Sequence, residues 1–389
     1  MRVFAYMVFF VGLLWPMGRP AAEELMIRWD ADSFPAAGAK GFVELKNGDL
    51  LASRHTRWEK GVGVLCSRST DGGATWCDAG IIANDPDQGT YLGDGHLIQR
   101  RNGEVLYCYR HNRYPGDTAS FSIRVCVSRD GGGHWEPHST VEAVAAHPSG
   151  GPRRGLWSSF LLEKKDGTLQ CYYDDENAPC LAGFPNHQWL QMKTWDAAAS
   201  QWGDPVTVSR AHDPRHLSRD GMASVVELEA GHLLCALESC QVSLPHANVI
   251  RLVTSDDGGK TWSWRTAERR LLYAPAKPNF MAVAPWMIRL HDGALACVFA
   301  TDEDRDVPDK AGTPPPEMHM DIKCALSADG GQTWSREATT VDGASHRTYM
   351  PGIAELSRKP YAGTLLVLYL DTQQGCFRGK RGRIMIPAR

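Results

Sequence analysis

Four stretches decide how this chain folds: STDGGATW (Ser69–Trp76), SRDGGGHW (Ser128–Trp135), SDDGGKTW (Ser255–Trp262) and SADGGQTW (Ser327–Trp334). A fifth, WDAAASQW (Trp195–Trp202), keeps Asp196 and a closing Trp but loses the glycines. Their Asp residues stand at 71, 130, 196, 257 and 329, with steps of 59, 66, 61 and 72 residues. An internal repeat at such a period marks one supersecondary unit used again and again. In each copy the Asp side chain can accept backbone N–H bonds in a tight turn. The glycines allow the turn geometry, and the Trp lays an apolar face over it. A residue present in nearly every unit reads as a staple of the fold, so Asp71, Asp130, Asp257 and Asp329 are not candidates for catalysis.

A second pattern repeats independently. A turn Gly followed by an apolar run occurs six times: KNGDLLA at Gly48, RNGEVLY at Gly103, KDGTLQC at Gly167, EAGHLLC at Gly231, HDGALAC at Gly293 and YAGTLLV at Gly363. Asn-Gly or Asp-Gly between apolar runs is a hairpin signal. Six units of about 60 residues, each with four strands, predict an all-β, six-bladed β-propeller with four intact turns and one degenerate turn. The sixth blade is expected to close by pairing C-terminal strands (364–369 and 383–386) with an N-terminal strand near 25–29. Residues 23–389 then form one domain, and DKAGTPPPE (309–317) is an exposed loop in blade five.

Composition agrees. The chain has 389 residues with 38 Gly, 23 Pro and 13 Trp, which excludes an all-helical protein and suits many short strands and tight turns. Lys and Arg number 42 against 45 Asp and Glu, a net charge of −3, so there is no basic excess of the kind a nucleic-acid binder carries. Residues 1–22 have the form of a secretory signal: Arg2, an apolar run broken at Pro16, then a polar stretch, too short to span a bilayer comfortably. The expectation is a monomeric protein that is secreted or periplasmic and free of the membrane once the signal is removed. Of the 11 Cys, Cys108, Cys126, Cys235, Cys297 and Cys324 lie in apolar strand-like runs and read as buried thiols. His212, Asp213 and His216 share a loop with Pro214 and lack a further ligand set. Neither a metal nor a cofactor is expected.

The SxDxGxxW turns are those of the Asp-box, or BNR, repeat, and the chain resembles the sialidase superfamily from about Gly38 onward. Longer runs narrow the likeness. QCYYDDE (Gln170–Glu176), RDGMASVVELEAGHLLCALES (Arg219–Ser239), APWMIRLHDGALACVFATDED (Ala284–Asp304) and YMPGIAEL (Tyr349–Leu356) resemble the branch containing the exo-arabinanases of glycoside hydrolase family 93. The resemblance implies a secreted, exo-acting glycosidase that cleaves a terminal bond of a glycan, arabinan-like by preference, with retention of configuration.

In a propeller the site lies over the central channel, where inner strands begin and the next strands end. Glu176 ends the third-blade strand LQCYYDDE and Glu238 ends the fourth-blade strand LLCALES. Two carboxyl groups facing one bond are what glycoside hydrolysis needs: one protonates the leaving oxygen, the other attacks or activates water. The resemblance gives these roles to Glu176 and Glu238 without deciding which is which. It also makes Tyr349 a candidate, since sialidases use a Tyr at a comparable place, activated by a Glu. Arg54, Asp94, His96, Arg110, Trp157, Arg219 and Asp220 are expected to face the channel and bind sugar hydroxyls, with an aromatic plane against the ring.

Two departures stand out. Sialidases hold the substrate carboxylate with three Arg, the first just before the first inner strand; GAKGFVEL (38–45) offers Lys40 there and no Arg. The arabinanase-like branch often has Trp-Glu-Pro where this chain has Trp157-Ser158-Ser159. An exo-α-sialidase, a polysaccharide lyase centred on His96 or Tyr349, and a glycan-binding propeller without catalysis are the other readings.

Overall fold

A computed structural model describes residues 25–114, 119–145, 155–241, 245–266, 269–310, 317–335, 338–343 and 346–385. The signal-like segment 1–22 lies outside them, as does most of the Pro-rich loop. The strands β1 (Met26–Trp29) and β2 (Phe34–Ala36) come first and pair with the last one. Blade one is β3 (Val43–Glu44), β4 (Leu50–Trp58), β5 (Gly61–Ser69) and β6 (Cys77–Asp85). Blade two is β7 (Thr90–Gln99), β8 (Val105–Arg113), β9 (Ser120–Ser128) and β10 (Glu136–Ala145). Blade three is β11 (Leu156–Glu163), β12 (Leu169–Asp175) and β13 (Trp189–Asp196), with its outer position shared by β14 (Gln201–Trp202) and β15 (Val206–Ser209). Blade four is β16 (Ser218–Glu229), β17 (His232–Gln241), β18 (Asn248–Ser255) and β19 (Arg270–Tyr273). Blade five is β20 (Ala282–Arg289), β21 (Leu295–Thr301), β22 (Asp321–Ser327) and β23 (Thr339–Asp342). Blade six is β24 (Thr348–Glu355), β25 (Leu365–Asp371) and β26 (Cys376–Met385), completed by β1, with Met26 opposite Met385 and Trp29 opposite Gly382. The protein is a six-bladed β-propeller, closed by the N-terminal strand as the sequence pattern predicts.

Each repeated motif has a local cause visible in the structure. The six hairpin glycines all hold positive φ, from 75° at Gly363 to 97° at Gly103, where an L side chain would be strained. The residues that follow them, including Leu50, Leu51, Leu106, Leu233, Leu234, Leu295, Leu365 and Leu366, are fully buried between blades. In the first Asp-box, Asp71 accepts bonds from the Thr75 backbone N–H (2.9 Å), the Thr75 hydroxyl (2.6 Å) and the Ser69 hydroxyl (2.8 Å). Ser69 in turn accepts the Gly73 N–H, and the Trp76 indole donates to the Gly73 carbonyl. Asp257 and Asp329 repeat this set. Asp196 keeps only the Ala198 and Ala199 N–H groups. All eleven cysteines are free thiols, seven of them buried.

Two features shape the channel. Five inner strands carry a β-bulge near their start: Gly93/His96, Leu156/Ser159, Gly221/Ser224, Val283/Trp286 and Tyr349/Gly352. In four of them the first bulged residue is a non-glycine at positive φ: Asp94 (50°), Met222 (51°), Ala284 (54°) and Met350 (52°). Such a conformation costs on the order of 1 kcal/mol per residue and persists only where its surroundings enforce it. A bulge bends the strand and re-aims side chains, and here it does so at the channel rim of successive blades. The other end of the channel is clasped. The end of each inner strand reaches back to the hairpin of the preceding blade: Gln99 to the Lys46 N–H, Glu163 to the Arg101 N–H, Glu227 to the Lys165 N–H and Glu355 to the His291 N–H. Arg289 makes the equivalent link to the Leu228 carbonyl, and Glu44 closes the ring on the Ser357 N–H at 2.8 Å.

Candidate active site

The bulged ends of the inner strands and the far halves of the second strands meet at one mouth of the channel. A cavity of about 160 Å³ opens there, lined by Ala39, Lys40, Arg54, Tyr91, Asp94 and Met350 among others. A roomier cavity of about 550 Å³ lies at the opposite mouth, walled by Phe42, Leu97, Leu161, Val225 and Ile353. Two carboxyl groups whose proton affinity is raised by burial, Asp174 and Glu238, feel the charge of Lys40 in the first cavity, so chemistry rather than volume identifies the candidate site.

Glu238, on β17, places Oε2 2.8 Å from the Ala284 N–H, the bulge residue of the next blade. The Cys240 thiol donates to its other oxygen at 3.7 Å. Part of its side chain remains open to the channel, yet burial pushes its pKa up, opposed by that N–H bond and by the charge of Lys40. Glu176 stands just beyond β12 and opens the short helix α1 (Asn177–Leu181). Its Oε1 is held by the Arg219 guanidinium and its Oε2 accepts the Gly155 N–H at 2.9 Å. Arg219 also donates to Gln188 Oε1 at 2.9 Å. Its charge is felt by Glu238 too, so this one cation links the two carboxyl groups singled out in the sequence. Tyr349 is buried close to Glu238, Cys240, Asp94 and Arg110, and burial first, then the neighbouring carboxyl of Glu238, keeps its phenol protonated well past the usual range.

Arg110 lies between two aromatic rings, 4.4 Å from the centre of Tyr91 and 5.1 Å from that of Trp157, and pairs with Asp94 at 2.7 Å. Tyr91 donates to the same Asp94 at 3.3 Å. Asp94, Arg110 and Trp157 are thus brought together as one wall of the mouth. The Trp157 indole N–H is buried without a partner.

Three sequence-predicted binding residues are engaged by the protein itself. Asp220 has no exposure; it accepts from Ser209 (2.5 Å), Ser218 (2.6 Å) and Ser239 (3.1 Å) and pairs with Arg269. Its charge is spent between blades three and four, on Ser209 of the one and on Ser218, Ser239 and Arg269 of the other, which corrects the expectation that it faces the channel. Arg54 borders the cavity, but its guanidinium is taken by Asp78 (2.9 Å) and Ser67 (2.6 Å). His96 lies below the mouth, stacked on Phe160 at 4.3 Å and edge-on to Trp286 at 4.8 Å, with Nδ1 accepting the Leu161 N–H. Burial and the charge of Lys40 lower its pKa to about 3, so it is a neutral part of a plug across the channel.

Sequence reasoning missed two groups. Asp174 is 2% exposed and accepts the Met222 N–H with both oxygens, at 3.1 and 3.2 Å. Burial pushes its pKa up to about 8, with Lys40 and the N–H bond opposing. It lies in the run Asp174-Asp175-Glu176, and the two-residue period of a strand separates Asp174 from Asp175. Lys40 was visible only as the place where an Arg is lacking.

No protein-family model and no curated protein sequence matches the chain. Solved structures do. The glycoside hydrolase family 93 α-L-arabinofuranosidase of Fusarium graminearum, in complex with arabinobiose, aligns over 92% of this chain and 98% of its own at 17% identity, with a TM-score of 0.62. The Penicillium chrysogenum α-L-arabinanase, also with arabinobiose, aligns over 91% and 98% at 18% identity, with a TM-score of 0.61. A Hadza microbial sialidase aligns over 90% of this chain and 65% of its own at 16% identity, with a TM-score of 0.56. At these identities the likeness establishes the fold alone, a six-bladed β-propeller similar to family 93 and sialidase structures.

Proposed function

We propose that the chain is a secreted, exo-acting glycoside hydrolase that removes a terminal unit from a neutral, arabinan-like glycan. The observation that supports the reading is Arg219, which is bonded to Glu176 while its charge acts on Glu238 of the next blade. Glu238, whose proton is held more tightly by burial, is the donor to the leaving glycosidic oxygen. Glu176, oriented by Arg219 and the Gly155 N–H, attacks the anomeric carbon. The glycosyl–Glu176 ester then yields to a water whose proton returns to Glu238, giving retention. The fold supports the reading because near-full-length structural matches carry the names arabinofuranosidase and arabinanase. Asp94, Arg110 and Trp157 form the wall that would meet the sugar, and the plug of His96, Phe160 and Trp286 closes the channel below, as an end-acting enzyme requires.

Tyr349 beside Glu238 supports a second reading, an exo-α-sialidase in which the phenol attacks and Glu238 takes its proton. It is weakened by the cations. Arg54, Arg110 and Arg219 are each paired with a protein carboxylate rather than converging on one free anion site.

The test is a panel of arabinan, arabino-oligosaccharides, sialosides and aryl glycosides offered to the wild type and to Glu238→Gln. Turnover of the arabinose substrates should fall about 10²–10⁴-fold in the variant, with the unfolding temperature preserved. Equal turnover in the variant contradicts the assignment. Turnover of sialosides alone, lost in Tyr349→Phe, selects the second reading.

A further inference from the structure

We propose that Lys40 is a positioning residue for the acid–base step, an internal cation that acts through Glu238 and is retained at the expense of stability. The proposal rests on the glycosidase reading for its catalytic consequence, but the charge coupling it asserts is measurable without turnover.

The geometry comes first. Lys40 stands in the segment that enters β3, its backbone N–H bound to the Met350 carbonyl at 3.1 Å. Gly352 packs so closely that a Cβ there would lie 3.0 Å from the Lys40 Cα. Blade six therefore fixes the backbone and sends the side chain inward. The residue is 7% exposed, lines the 160 Å³ cavity and holds its ammonium 5.7 Å from the centre of the Trp286 ring. Its ammonium makes no hydrogen bond or ion pair with any described residue.

The charged and titratable neighbours come from three blades: Asp94, Cys108 and His96 of blade two, Asp174 of blade three and Glu238 of blade four. Arg110 occupies Asp94, and Arg219, the other cation felt by Asp174 and Glu238, is bonded to Glu176. That leaves Lys40 as the uncommitted cation facing two carboxyl groups whose bonds to protein are mainly to backbone N–H groups.

A buried ammonium without a partner is costly, and burial does lower the proton affinity of Lys40. Packing alone would favour an apolar side chain such as Met of similar length. What the charge supplies is opposition to burial at Glu238. Burial raises that group's proton affinity and a nearby cation lowers it, so Lys40 keeps the donor able to release its proton. Removing the cation weakens the opposition to burial, leaving the Ala284 N–H, the Cys240 thiol and the charge of Arg219, and Glu238 then holds its proton to higher pH.

The experiment uses the full chain as Lys40→Met and Lys40→Arg, with Glu238→Gln to assign the signal. Carbon-13 NMR of glutamate-labelled protein follows the Glu238 carboxyl through pH. The midpoint should rise by about one unit in Lys40→Met and stay near the wild-type value in Lys40→Arg. The alkaline limb of kcat/KM should move upward with it, and the unfolding temperature of Lys40→Met at pH 6 should equal or exceed that of the wild type. An unchanged Glu238 midpoint in a folded Lys40→Met overturns the proposal, as does a large loss of stability, which would mark Lys40 as structural. If the wild type turns over no glycan while the midpoint still shifts, the coupling stands and the glycosidase reading falls.

Discussion

Asp174 shows how much a single group can reveal once its surroundings are known. It is bonded to one N–H, and burial holds its pKa up at about 8, roughly four units above an exposed carboxyl. The folded chain therefore binds a proton here that the unfolded chain gives up near pH 4. By linkage, stability is lost as pH rises through the window from about 4 to about 8. Asp174→Asn keeps the size and an acceptor for the Met222 N–H but removes the titration. Its unfolding free energy should decline less than that of the wild type between pH 5 and pH 8, as read from urea midpoints at each pH; identical declines would contradict the raised pKa. The sequence pointed to this run of residues but chose Glu176, because a strand end is visible in the chain and burial is not. Asp220 failed for the same reason. It neighbours Arg219 in sequence, yet the strand period sends it into Ser218 and Arg269 of its own blade and Ser209 of the preceding one.

At the scale of elements, what was legible is what is local. The Asp-box was readable because all of its partners lie within a few residues, from Ser69 to Trp76. Asp71→Ala would leave the Thr75 N–H and two hydroxyls without their acceptor. The expected loss is about 2 kcal/mol in chemical unfolding, at roughly 1 kcal/mol per net bond with solvent replacing part of each. Asp196→Ala, which removes only two turn bonds in the degenerate copy, should cost less. Equal losses at the two sites would contradict the view that the full set of bonds is the staple. The bulges at Asp94, Met222, Ala284 and Met350 were not legible: Asp tolerates positive φ without requiring it, and Met and Ala disfavour it. At Met222 and Ala284 the conformation is held from the preceding blade, where Asp174 and Glu238 capture their N–H groups. The same contacts that strain the backbone therefore hold the carboxyl groups at the mouth.

The whole molecule was legible as a count of blades, since six hairpin glycines and five box positions fix the period. The clasp that binds blade to blade was not, because each pair is about 60 residues apart in sequence and Glu44 and Ser357 are separated by nearly the entire ring. That closure makes the channel rigid enough to hold groups from blades one, two, three, four and six around one mouth while a plug seals the interior. We propose that such a shape admits the end of a glycan and not its middle, which is the central claim about function. The most direct measurement is the product profile of linear arabinan incubated with the purified chain, followed by chromatography and viscosity together. The account predicts one short product from the earliest times, with viscosity almost unchanged until late in the reaction. An early fall in viscosity with a ladder of oligosaccharides, or no product from any arabinose-containing substrate, would contradict it.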